Sequence, residues 1–307
     1  MTQINITEAE SRPFIFDVMS DVHFHEPGEP EENFRETADY LLKQPPGAFL
    51  VTCGDYDNVP LAVDFMERHL LAPRRRTEPY PWFAAVGNHD IEGFANNPDL
   101  NGEASRTNVA NIVKINKFNA GPNFHPGPAS RSLLKDYRPD GAQWTTFSFD
   151  YRNLHCIVID QYCALAQGYP GRGTVDRPLI DWLEDDLCQT TRQHVVVFGH
   201  EPLIAFKGIE LPEETPAEID PDDVSTGCPE DLRRVLRNDT RVAAYVCGHS
   251  HRFGITQDGS CTHVTAAQEW TKLRMFLRFH IDGPAVAMEI HFWQNGAYHH
   301  ETRALRP

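Results

Sequence analysis

No stretch of this 307-residue chain strings together the ~18 apolar residues of a membrane-spanning helix. Its opening, MTQINITEAESRPF, lacks the basic end and the apolar run of a secretory signal, so the protein is expected in the cytoplasm. Seven cysteines are scattered without a CxxC pair, which argues against both a disulfide framework and a thiolate zinc site. Basic tracts are equally scarce. Beyond Arg74-Arg75-Arg76 nothing collects phosphates, and the net charge is −16, so nucleic acid is disfavoured as a partner. What is present is ordinary for a globular fold, 40% hydrophobic and 23% charged. A chain of this length buries roughly 75% of its extended surface, which excludes disorder as the main state.

Short apolar runs ending in Asp, Gly, Asn or His alternate with amphipathic stretches, the rhythm of an α/β protein. Strands are expected at 14–19, 48–52, 82–86, 145–149, 155–159, 195–198 and 242–246, and helices at 32–43, 59–71, 177–188 and 230–237. After about residue 252 the helical rhythm stops, and 262–266, 273–281 and 286–293 read as strands of a second sheet. Two stretches read as long loops. Residues 91–143, rich in Asn, Gly and Pro, are expected as a lid or insertion, and 207–227 as an acidic loop carrying Glu210, Glu213, Glu214, Glu218, Asp220, Asp222 and Asp223. Polar clusters spread from residue 21 to residue 251 must converge, so the chain 1–307 is expected to form one domain.

Five strand ends share a grammar: Asp21-Val22-His23, Gly54-Asp55, Gly87-Asn88-His89-Asp90, Gly199-His200 and Gly248-His249-Ser250-His251. Carboxyl ends of strands form the crevice of an open α/β sheet, and glycine there lets the chain turn sharply. Asp21, His23, Asp55, Asn88, His200, His249 and His251 are therefore candidate ligands, with His89 and Asp90 left over. Imidazole and carboxylate without sulfur suit Mn, Fe or Zn, and the count suffices for two ions if one carboxylate bridges them.

In these blocks, in this order, the sequence resembles the calcineurin-like metallophosphoesterases, whose pattern is D-x-H, G-D, G-N-H-D/E, a lone H and G-H-x-H. The resemblance implies an αββα sandwich, two sheets face to face with helices outside. It implies one metal on Asp21, His23 and His251, another on Asn88, His200 and His249, and Asp55 bridging them. It also implies hydrolysis of a phosphomonoester or phosphodiester of a small molecule by metal-bound hydroxide. His89 then sits over the site to stabilise the phosphoryl group or protonate the leaving oxygen, with Asp90 orienting it.

Relatives sharpen the expectation. Purple acid phosphatases have D-x-G in the first block and a Tyr three positions after the bridging Asp, where this chain has His23 and Asn58, so it is not expected to be purple. Class III cyclic nucleotide phosphodiesterases share every block and are one alternative. A repair nuclease would need a basic face. A non-catalytic scaffold for protein partners is the other alternative, but such relatives lose ligands or the His of G-N-H, and both are kept here. Outside the motifs, His25 reads as a loop residue, Asn58 as a site-edge residue or a helix cap, Cys53 and Cys247 as packing, and His299-His300 as solvated. His69, His125, His155, His194, His263, His280 and His291 read as core or surface residues, and Asp160 and Tyr162 as candidates for supporting the site from behind.

Overall fold

The computed structural model of the chain describes residues 12–24, 29–92, 103–121, 123–128, 144–162, 172–207, 218–266 and 274–306. His25 and much of the two long stretches at 91–143 and 207–227 lie outside them.

Three short apolar runs set the frame as parallel strands: β1 (Phe14–Met19), β2 (Leu50–Thr52) and β3 (Trp82–Ala84). Nearly every residue in them is buried, as expected for strands covered on both faces. Helix α1 (Glu29–Lys43) links the first two strands and α2 (Val59–Met66) the next two. Beyond α2 the coil widens into a π turn at Glu67–Leu71 before Ala72–Arg75. Pro73 explains the widening, because its ring would otherwise press on the carbonyl of the preceding turn. The motif Asn88–Glu92 opens as the short helix α3 behind β3.

A longer helix, α4 (Glu103–Asn119), occupies the middle of the stretch expected as a loop. The chain then enters a second sheet through β4 (Phe124–Pro126), β5 (Phe147–Tyr151), β6 (Leu154–Val158), β7 (His194–Phe198), β8 (Val242–Cys247), β9 (Gly254–Asp258) and β10 (Cys261–Thr265). Helices α5 (Arg177–Gln189) and α6 (Pro229–Asn238) interrupt it. The sheet order is β9-β10-β8-β7-β6-β5-β4, parallel from β6 through β7 and β8 to β10 and antiparallel elsewhere. The tail returns to the first sheet as an antiparallel meander of β11 (Met275–Asp282), β12 (Ala285–Gln294) and β13 (Ala297–Arg306), giving the order β13-β12-β11-β1-β2-β3.

Aromatic side chains fill the space between the sheets: Phe16 stacks on Phe49 at 4.8 Å and on Phe279 at 4.9 Å, and Phe83 on Phe149 at 4.0 Å. Outside the first sheet, Phe34 and Leu41 of α1 and Phe65 of α2 pack on Met19, Leu50 and Trp82. Outside the second, Leu179 and Leu183 of α5 and Leu232 and Leu236 of α6 cover Ile157, Val195 and Val197. The layers are helix, sheet, sheet, helix, so the αββα sandwich is present.

One expectation needs correction. The stretch 91–143 is not simply a loop, because its asparagines are hydrogen-bonding residues of α4 rather than turn formers. Asn116 accepts from the Ala84 amide (2.9 Å) and donates to the Ala84 carbonyl (3.0 Å), while Asn119 donates to the Trp82 carbonyl (2.8 Å). These side chains stand in for the strand missing at the β3 edge. In the tail, His299 and His300 are exposed, as expected, and belong to the edge strand β13.

Candidate metal centre

The motif residues follow the carboxyl ends of β1, β2, β3, β7 and β8, and three of the loops repeat one backbone shape. Asp21 and His23 (φ 54° and 44°), Asp55 and Asp57 (59° and 59°), and His249 and His251 (70° and 51°) are pairs of left-handed residues separated by one ordinary residue. Each such non-glycine residue costs on the order of 1–3 kcal/mol, so the surroundings must enforce the shape. Backbone bonds do so: Asp21 N–H donates to the Gly54 carbonyl (3.1 Å), His23 N–H to Asp55 (3.0 Å) and Gly248 N–H to His200 (2.8 Å). Glycine is needed where loops touch. A Cβ on Gly54 (φ 95°) would lie 2.6 Å from Gly87 N, and one on Gly248 would lie 2.0 Å from Asp21 Oδ2.

The side chains gather into two groups that share Asp55: Asp21, His23, Asp55 and His251 in one, and Asp55, His200 and His249 in the other. Asn88 joins the second, its Oδ1 lying 2.9 Å from both His200 Nε2 and His249 Nδ1. In the first, His23 Nε2 lies 3.0 Å from His251 Nε2, and His251 Nε2 lies 3.5 Å from Asp21 Oδ1.

The orientation of these atoms tests whether the residues fit metal ions. His200 Nδ1 points at the Cys53 carbonyl (2.7 Å), which only accepts, so that nitrogen carries the proton and the Nε2 lone pair faces the carbonyl oxygen of Asn88. His23 Nδ1 likewise donates to Asp57 (2.8 Å), turning its Nε2 lone pair toward His251. Asp21 Oδ2 is buried with no hydrogen-bond partner. Acceptors facing one another about 3 Å apart are what ligands ~2.1 Å from a common ion produce. The donor set fits two cations.

Electrostatics agree. Burial alone would lower the His200 pKa, but Asp55 and then Asp21 raise it to about 10. Burial likewise opposes protonation of His23, yet Asp57, Asp55 and Asp21 raise its pKa. His249 is driven down to about 3 by burial and by His200, and His251 is lowered by burial. In each group the carboxylates favour the charged form of one imidazole while burial disfavours it in the other.

His89 and Asp90 part company here. His89, 22% exposed, stands beside His23, with ring centroids 4.9 Å apart. The carboxylate on its Nδ1 is Asp57 (2.9 Å), not Asp90, which corrects the expected orienting residue. Asp90 turns inward and accepts backbone amides of Asp55 (3.1 Å), Tyr56 (2.8 Å) and Gly87 (2.8 Å). Opening a helix, it serves the adjacent loops and not the ring of its neighbour. Asp57 was missed, although Asp55-x-Asp57 has the spacing of the D-x-H and H-x-H pairs. Asn58 caps α2 by accepting Leu61 N–H (3.1 Å), and Tyr56 is buried with its hydroxyl on Thr52. Neither belongs to the two groups. Cys53 and Cys247 have buried side chains, and Tyr162 reaches Glu201, the residue after His200 (2.8 Å).

Residues 14–253 match the family model for the calcineurin-like phosphoesterases. Tartrate-resistant acid phosphatase type 5 of Mus musculus is 28% identical over 178 residues, 58% of this chain and 45% of the relative. The Homo sapiens protein is 26% identical over 184 residues, 60% and 47%. The chain thus spans less than half the length of these relatives. Among solved structures, a dimetal phosphatase from Danio rerio superposes with a TM-score of 0.57 at 15% identity, covering 90% of this chain and 95% of its own. A purple acid phosphatase from yellow lupin (Lupinus luteus) gives 0.54 at 12%, covering 96% and 54%. With a family model spanning both ligand groups and all the blocks between, the chain belongs to the calcineurin-like phosphoesterases.

Proposed function

We propose that the protein is a metal-dependent hydrolase of phosphomonoesters or phosphodiesters of small molecules. In this reading Asp21, His23 and His251 would hold one ion and Asn88, His200 and His249 the other, with Asp55 shared between the two. Manganese, iron or zinc suits the oxygen and imidazole donors. When bound, the ions supply Lewis-acid charge for the phosphoryl oxygens and acidify a water. The observation that carries the reading is one buried carboxylate, Asp55, common to two ligand groups.

The chain's own residues do the rest. Asp57 fixes the His23 proton on Nδ1, leaving Nε2 for the metal, and the Cys53 carbonyl does the same for His200. The same Asp57 holds His89 by Nδ1. That leaves His89 Nε2 to donate a proton to the oxygen that departs from phosphorus. A net charge of −16 disfavours long polyanionic substrates.

The test is metal-reconstituted protein assayed against an aryl phosphate, a bis-aryl phosphate and a cyclic nucleotide, alongside elemental analysis. Close to two ions per chain and turnover of at least one ester are expected, with both lost in Asp55→Ala. Metal-loaded protein that cleaves none of these esters overturns the hydrolase reading and favours the scaffold.

A further inference from the structure

We propose that Glu201 is a positioning residue for the second metal group, acting with Gln161 as a buried clamp on His200. The inference rests on the metal-centre reading above. Gln161 aligns its side-chain amide with the backbone of residues 200 and 201 as a neighbouring strand would. Its Oε1 accepts the N–H of His200 (2.8 Å) and of Glu201 (2.9 Å), and its Nε2 donates to the Glu201 carbonyl (3.0 Å). Tyr245 adds its hydroxyl to the same carbonyl (2.7 Å), and the His200 carbonyl accepts Gly248 N–H (2.8 Å). His200 lies past the end of β7, where the Gly248 bond is the last of the backbone ladder among the described residues. Side chains supply what the ladder does not.

The carboxylate of Glu201 makes the clamp rigid. It is fully buried and accepts from three separate segments: the Tyr162 hydroxyl (2.8 Å), the Gly173 amide and the Ser225 hydroxyl (3.1 Å). Ser225 in turn accepts from Gln161 Nε2, closing the ring. Space is used to the limit, since a Cβ on Gly199 would lie 2.3 Å from the Tyr245 hydroxyl and 2.9 Å from Gln161 Oε1. A buried carboxylate is costly unless fully satisfied, and a half-satisfied network is worse than an apolar core. Here the satisfied network ends on a single ligand, His200, whose group is Asn88 and His249 with the shared Asp55. The first group, Asp21, His23 and His251, receives none of these bonds. The clamp therefore sets the affinity of one ion of the pair.

The experiment measures metal content and chelator competition on the full chain as wild type, Glu201→Ala, Glu201→Gln and Tyr162→Phe, with thermal melting in parallel. In Glu201→Ala one ion is expected to bind about 10–100-fold more weakly while the other keeps its affinity. Glu201→Gln retains an acceptor for Tyr162 and Gly173 and should recover most of the loss. Should Glu201→Ala not fold, Tyr162→Phe carries the test with a several-fold weakening of the same ion. Lowered melting with two ions held as tightly as in wild type means the network is mere packing, and the inference fails alone. A wild-type chain that takes up fewer than two ions overturns the metal-centre reading, and this inference with it.

Discussion

At the scale of single residues, the roles proposed for His89 and Asp57 allow chemistry to be separated from metal holding. Replacing His89 by Ala should lower turnover by about 10²–10⁴-fold while both ions stay bound, since its ring belongs to neither shared-Asp55 group. Asp57→Asn should harm both, weakening one ion about 10–100-fold and slowing esters with poor leaving groups more than aryl esters. Elemental analysis and a leaving-group series read the two effects apart. His89 is legible in the sequence because G-N-H-D is a family block. Asp57 is harder to read, because its D-x-D spacing gains meaning only once the left-handed turn shows it as the counterpart of His23 and His251. A second residue-scale prediction lies far from the metals. His155 is buried between Asp150 and Asp186, each at 2.7 Å. Burial alone would lower its pKa, but those carboxylates raise it. Its contribution is full below about 6.5 and is lost as pH rises through the elevated folded value. Asp150 is opposed by burial but held below the ordinary range by His155 and Arg192, so its share is lost only as pH falls through that lowered value. Urea unfolding of metal-saturated protein should show wild type losing more stability above pH 6.5 than His155→Gln does. Parallel curves would refute the assignment.

At the scale of elements, α4 is the informative one. Asn116→Ala should leave the Ala84 amide and carbonyl without partners, costing about 1–3 kcal/mol for each group, which denaturant unfolding would measure. An unchanged midpoint would show that water replaces the side chain. The strands behind the motifs are readable from sequence because their apolar runs end abruptly in Gly, Asp or His. Helix α4 is not, because EASRTNVANIVKINKFN carries asparagines that read as loop until the strand edge they serve is seen. Edge strand β13 escapes for the converse reason: most of its residues face solvent or are half-buried, so no apolar alternation marks it.

At the scale of the molecule, the two sheets are readable from the change of rhythm after residue 252, and the sandwich follows from the family resemblance. The ring stacking that joins the sheets is not readable, since Phe16, Phe49, Phe83 and Phe149 meet only through the fold. Because the ligand groups join the ends of strands from both sheets, bound ions brace the whole sandwich. Chelation should therefore lower the melting temperature and metal should restore it. An ion present at a thousand times its Kd stabilises by about 4 kcal/mol. Melting that ignores chelator in protein shown to lose its ions would contradict this bracing. The asparagines of α4 carry a further consequence. Asn108 holds the carbonyls of Asp57 (2.7 Å) and Asp90 (3.2 Å) on the same helix whose Asn116 seals β3. Peeling this one helix away would disable the reaction and bare a sticky border at the same moment, so inactivation by mild heat should be accompanied by clumping of chains along β3.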